Sequence, residues 1–174
     1  MKFVRALTLP LAFLIVGLVR FVSRWKVIRF GEIWSPRLGH LVGNTECYLC
    51  ERDEGLHKGF YDLWFTVRGP CSHPLIERKY RRKLHILPRW LGYQVTVVNR
   101  LIAGFEKHEI ASVQFDRDIH NLWEKHGPHI GFSAAEERRG ERLLRSLGIP
   151  EGAKWVCLIV RDSAYLKRMA PGTD

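Results

Sequence analysis

Lys26-Val-Ile-Arg-Phe-Gly-Glu-Ile33, followed by Ser35-Pro-Arg-Leu-Gly39, is the stretch on which the fold turns. The first segment is short, β-branched and roughly alternating, which reads as a strand. The second breaks it with Pro36 and Gly39. From His40 to Arg52 the residues Leu41, Thr45, Tyr48 and Leu49 share one helical face, and Gly55 closes that helix. Tyr61-Asp-Leu-Trp-Phe-Thr-Val67 is a second strand, stopped by Gly69-Pro70. Strand, loop, helix, strand is the opening of a parallel α/β sheet, so an α/β, Rossmann-like domain is expected.

Outward from that core the pattern continues. A helix is expected from Pro74, with Ile76, Tyr80, Leu84 and Leu87 inside and Arg78 to Lys83 as a basic outer face; His85 to Pro88 is alternatively a short strand. Arg89 to Phe105 suits a helix by length, although Tyr93-Gln-Val-Thr-Val-Val98 also suits a strand. His108 to Phe115 reads as a weak strand and Asp116 to Lys125 as a short helix, with Arg117 and Asp118 as a surface ion pair. Ser133 and Glu136 make a capping box; Leu143, Leu144 and Leu147 form the helix's buried stripe, and Gly148 and Pro150 stop it. Lys154-Trp-Val-Cys-Leu-Ile-Val160 is a continuous apolar run, as in a strand buried on both faces.

The N-terminus is almost wholly apolar from Ala6 to Val19, flanked by Lys2, Arg5, Arg20, Arg24 and Lys26. Fourteen helical residues reach about 21 Å, short of the roughly 30 Å hydrocarbon core. A retained signal anchor or in-plane helix is the leading expectation; a cleaved signal and a buried helix are the alternatives.

The chain holds 28 Lys+Arg against 18 Asp+Glu, a net charge of +10. That favours anionic partners such as headgroups or diphosphates. Nucleic acid is not expected, because the basic residues are not interleaved with aromatics. The four cysteines are too scattered for a disulfide framework. Cys47 and Cys50, on a helix with no second ligand pair nearby, read as small buried residues. No metal or cofactor is expected.

Two stretches carry a family resemblance: Arg37-Leu-Gly-His40 with Asn44, Glu46, Tyr48 and Leu49, and Phe132 to Leu166, including Leu147-Gly-Ile-Pro-Glu-Gly-Ala-Lys-Trp-Val-Cys-Leu-Ile-Val160. Together they resemble bacterial glycosyltransferases associated with surface polysaccharide synthesis. The resemblance implies a GT-B arrangement of two facing Rossmann-like halves. Residues 1–24 would then be the anchor, 25–130 the acceptor-side half, 131–150 a connecting helix, and 151–174 the start of a truncated donor-side half. It implies a nucleotide sugar as donor and a glycan or lipid-linked acceptor, while the flanking charges of the N-terminal helix and the basic face lean towards a place on the cytoplasmic side of the inner membrane. Ile159 stands where many relatives carry histidine.

Sugar transfer needs a base for the acceptor hydroxyl and positive charge for the leaving diphosphate. Ligands in doubly wound folds bind at the carboxyl ends of strands, which selects two loops. In the first, His40 is the candidate base, and Arg37, Gly39 and Asn44 are candidates for acceptor binding. In the second, Arg161, Asp162, Ser163 and Tyr165 are candidates for the donor diphosphate. The two loops are expected to face each other across a groove. The competing reading is a non-catalytic, membrane-attached module that holds an anionic partner.

Overall fold

The computed structural model describes residues 2–111, 115–154, 156 and 158, with the backbone alone for 2–7. The chain divides into two units, Met1–Gly131 and Phe132–Asp174.

The first unit is built on a four-stranded sheet: β1 (Val27–Ile33), β2 (Phe60–Thr66), β3 (His85–Ile86) and β4 (Glu109–Ile110). All pairings are parallel and the order is β3-β2-β1-β4. The helices are α1 (Lys2–Val22), α2 (Thr45–Glu54), α3 (Pro74–Tyr80), α4 (Arg89–Asn99) and α5 (Trp123–His126). The chain steps outward from β1 to β3 and then returns across the sheet to β4. Right-handed crossovers therefore place α2 and α3 on one face and α4 on the other. The two cores agree. Ile33 and Trp64 pack with Leu41, Tyr48, Leu49 and Tyr80; Phe30, Ile28 and Leu63 pack with Ala12, Val16, Val19, Val95 and Val98. Alternate residues of each strand serve opposite cores, as strand geometry dictates.

Several local readings hold. Gly55 ends α2 at φ 91°, in the left-handed region. Pro74 opens α3, and the His73 ring accepts a bond from the Ile76 N–H at 3.4 Å. The ambiguous stretch after Pro88 is a helix. Its Gly92 lies so close to β2 that an added Cβ would meet Phe65 Cγ at 2.4 Å.

Other readings need correction. The helix expected from Pro74 stops at Tyr80, and its apolar tail becomes β3. No described helix is long and apolar enough to cross a membrane. α1 instead lies on the sheet with Ala12, Val16 and Val19 buried, so a spanning anchor is set aside. Asp118 makes no surface ion pair with Arg117; it accepts the Leu122 and Trp123 N–H groups, each at 2.9 Å, and so caps α5.

In the second unit α6 (Ala134–Ser146) begins with the expected capping box, Ser133 with Glu136. Its Leu143 and Leu147 are exposed rather than buried. The strand expected over 154–160 falls largely outside the described residues. Among those described, Lys154, Val156 and Leu158 lie in no strand, and Val156 and Leu158 are exposed.

Candidate functional site at the carboxyl end of β1

The strand order reverses direction between β1 and β4, and in open parallel sheets ligands bind outside the carboxyl ends at such a switch point. A small cleft opens there. It is lined by Trp34 beyond β1, His40, Asn44 and Tyr48 from the following helix, Trp64 from β2, and Phe115 beyond β4. Its enclosed volume of about 10 Å³ holds one water, so a larger ligand would sit at its mouth.

The loop after β1 is well anchored. The Ser35 carbonyl accepts from the Ser72 N–H at 2.8 Å and from the Ser72 hydroxyl at 2.9 Å. The chain then enters α2 through a π-helical turn, His40–Asn44. Such widened turns recur at functional sites. Here the turn places His40 and Asn44 together. The Asn44 amide donates to Asp116 Oδ1 at 2.9 Å, which leaves its Oδ1 facing His40 Nδ1 at 3.4 Å. His40 Nδ1 also stands 4.0 Å from Asp116 Oδ1. With acceptors around Nδ1, the proton belongs on that nitrogen, and Nε2 keeps a lone pair. The Trp34 ring flanks the imidazole at 5.9 Å between centroids. Histidine, amide and carboxylate in sequence can orient a ring and stabilise the charge it gains on taking a proton.

A second hollow, of about 200 Å³, lies on the α4 side of the same strand ends. It is lined by Glu32, Thr96, Arg100 and Glu109 among others. Arg100 donates to both Glu109 oxygens, at 3.0 and 3.1 Å. Burial raises the Glu32 carboxyl above its ordinary value, with Arg100 partly opposing. The Thr96 hydroxyl is buried and has no partner among the described residues.

Beneath the cleft runs a buried polar network. Arg29 Nε and Nη2 donate to the two Asp62 oxygens at 2.8 and 2.7 Å, and the Tyr48 hydroxyl donates to Asp62 at 2.7 Å. Burial and that acidic neighbour push the Tyr48 phenol far up. Arg29 also donates to His57 Nδ1 at 3.1 Å, so His57 Nε2–H must be the donor to Glu51 at 3.0 Å. A related cluster joins α2 to the segment after α5. Glu46 accepts from the Tyr80 hydroxyl at 2.7 Å and from both the His129 N–H and its ring, while His129 Nε2 faces Asp53 at 3.2 Å. Cys50 joins them: ligand atoms of Glu46, Cys50 and His129 lie within 4.8 Å of one another, a set of metal-ligand types. The Glu46 and His129 atoms are already hydrogen-bonded within the protein, so the cluster is satisfied as it stands.

Of the residues singled out from sequence, His40 and Asn44 line the cleft, while Arg37 and Gly39 are exposed on the turn before it. Arg161, Asp162, Ser163 and Tyr165 lie outside the described residues. No family model, curated protein or solved structure matches the chain. The cleft must therefore be read from its own chemistry. Asp116 was not singled out from the sequence, although Asp116-Arg-Asp118 is a D-x-D triplet, a pattern the expectation of no metal had taken to be absent. The two carboxylates are not a paired ligand set: Asp118 caps α5, and Asp116 holds the amide of Asn44 beside the cleft. The histidine-carboxylate clusters were also missed. Their signal is the density of Glu46, Glu51, Asp53 and Glu54 on one helix against His120, His126 and His129.

Proposed function

We propose that this chain belongs to the machinery of sugar transfer from a nucleotide-sugar donor to a glycan or lipid-linked acceptor, with residues 25–130 as the acceptor side. The observation that carries the reading is the His40–Asn44–Asp116 set at the β1–β4 switch point. His40 Nε2 takes the proton of an acceptor hydroxyl, and Asp116, through Asn44, holds the ring and offsets its new charge. Glu32 and Glu109, at the same strand ends, are suited to accept hydrogen bonds from sugar hydroxyls. The resemblance in Arg37 to His40 supports the same assignment, and Arg161 and its neighbours remain the proposed contacts for the donor diphosphate.

The test is release of nucleoside diphosphate from a panel of nucleotide sugars, with membrane lipid extract as the source of acceptor. Turnover is expected with one donor, and His40→Ala should lower it by roughly 10²–10⁴-fold. Asp116→Asn should lower kcat while leaving the acceptor KM nearly unchanged. Turnover indifferent to His40→Ala would remove His40 from the chemistry. Donor binding without any turnover would favour the non-catalytic module.

A further inference from the structure

We propose that the outward face of the α1–α4 layer is a membrane-docking surface that lies flat on an anionic bilayer. α1 is apolar on two sides. Its inner side, Ala12, Val16 and Val19, is buried against the sheet and α4. Its outer side carries Leu14, Leu18 and Phe21, which are 71%, 60% and 55% exposed, and Trp25 just beyond the helix is 70% exposed. Spacings of four, three and four make one continuous stripe where a helix facing water carries polar residues. The neighbouring helix extends the stripe with exposed Trp90, Tyr93 and Val97, and Leu101 follows just past its end.

Charge selects lipid as the occupant. Residues 1–26 contain five Lys or Arg and no Asp or Glu, and residues 86–105 also contain no Asp or Glu, although the chain has 18. The whole layer is thus free of acid. A second copy would bring the same positive charge to the contact, whereas anionic headgroups neutralise it. The Arg24 guanidinium lies 4.5 Å over Phe21 and 5.0 Å over Trp25, so its charge rides at the edge of the apolar stripe. Trp25, Trp90 and Tyr93 are the amphipathic ring types that settle at headgroup level. Because α1 is fixed along one side to the protein, it lies in the interface plane instead of crossing it. The basic run Arg78 to Lys83 spans the last turn of α3 and the residues just after it, on the opposite face of the sheet, and takes no part.

The inference does not depend on sugar transfer, since flotation and turnover are separate readouts. Purified full chain is floated with zwitterionic vesicles and with vesicles containing anionic lipid. Binding to the anionic vesicles is expected, and Leu14→Glu with Leu18→Glu should weaken it by about tenfold or more. Both side chains are exposed, so the thermal unfolding of that variant should match the parent. Arg78→Glu with Arg82→Glu should alter binding by less than about twofold. Absence of flotation, equal loss in both variant pairs, or equal binding to zwitterionic vesicles would overturn the proposal. So would a lipid-free dimer that the Leu14 and Leu18 changes dissolve.

Discussion

Arg29 and Asp62 are paired deep beneath the cleft, with side chains 11% and 5% exposed. Removing one member strands the other. Arg29→Met should therefore destabilise the fold by about 3–5 kcal/mol, measured by denaturant unfolding. His57 beside them carries a pH dependence. Burial, with the Arg29 charge second, holds its imidazole below the ordinary 6.5. Burial does the same to His108. The unfolded chain takes up these protons near 6.5 and the native fold only lower, so this stability is complete above that pH. It is lost as pH falls through the native values. Stability should thus rise as pH climbs towards the ordinary 6.5 and level off above it, with a shallower slope in His57→Gln, which cannot titrate. At this scale His40 and Asn44 were legible because a loop after a strand is read locally. Asp116 was not, because its bond to Asn44 joins residues 72 apart in sequence. Arg29 looked like a polar interruption of β1; only the partner strand reveals that Asp62 stands beside it in register.

Among the elements, α4 is the instructive case. Tyr93-Gln-Val-Thr-Val-Val98 is rich in β-branched residues and would serve as a strand. Length and the spacing of Leu91, Val95 and Val98 favoured a helix, and tertiary packing completes the choice. Gly92 lets the helix settle against Phe65, where any Cβ would collide. Gly92→Ala should cost about 1–3 kcal/mol, although alanine is the better helix former; a lowered denaturation midpoint with unchanged m would register it. Gly31 makes the matching approach to Trp64, at 2.6 Å for an added Cβ, and should be equally intolerant. The short β3 and β4 were hard to read because two paired residues leave no periodicity. Their neighbours alone define them.

For the whole molecule, the parallel α/β sheet followed directly from the first strand, helix and strand, and the crossover rule then fixes which helices share a face. The role of α1 was less legible. Counting apolar residues from Ala6 to Val19 registers how greasy the helix is, not that one side is already spent on Phe30, Val95 and Val98. Only four residues, Ser23 to Lys26, separate α1 from β1. So short a tether keeps the helix from swinging away without stripping its inner side from the sheet. Lipid that met the native fold would therefore touch only the outer side. A bilayer then behaves as a ligand of the native state: Tm should climb with the concentration of anionic vesicles, and the increment should vanish in Leu14→Glu with Leu18→Glu. The surface that holds the protein in place would at the same time act as its chaperone.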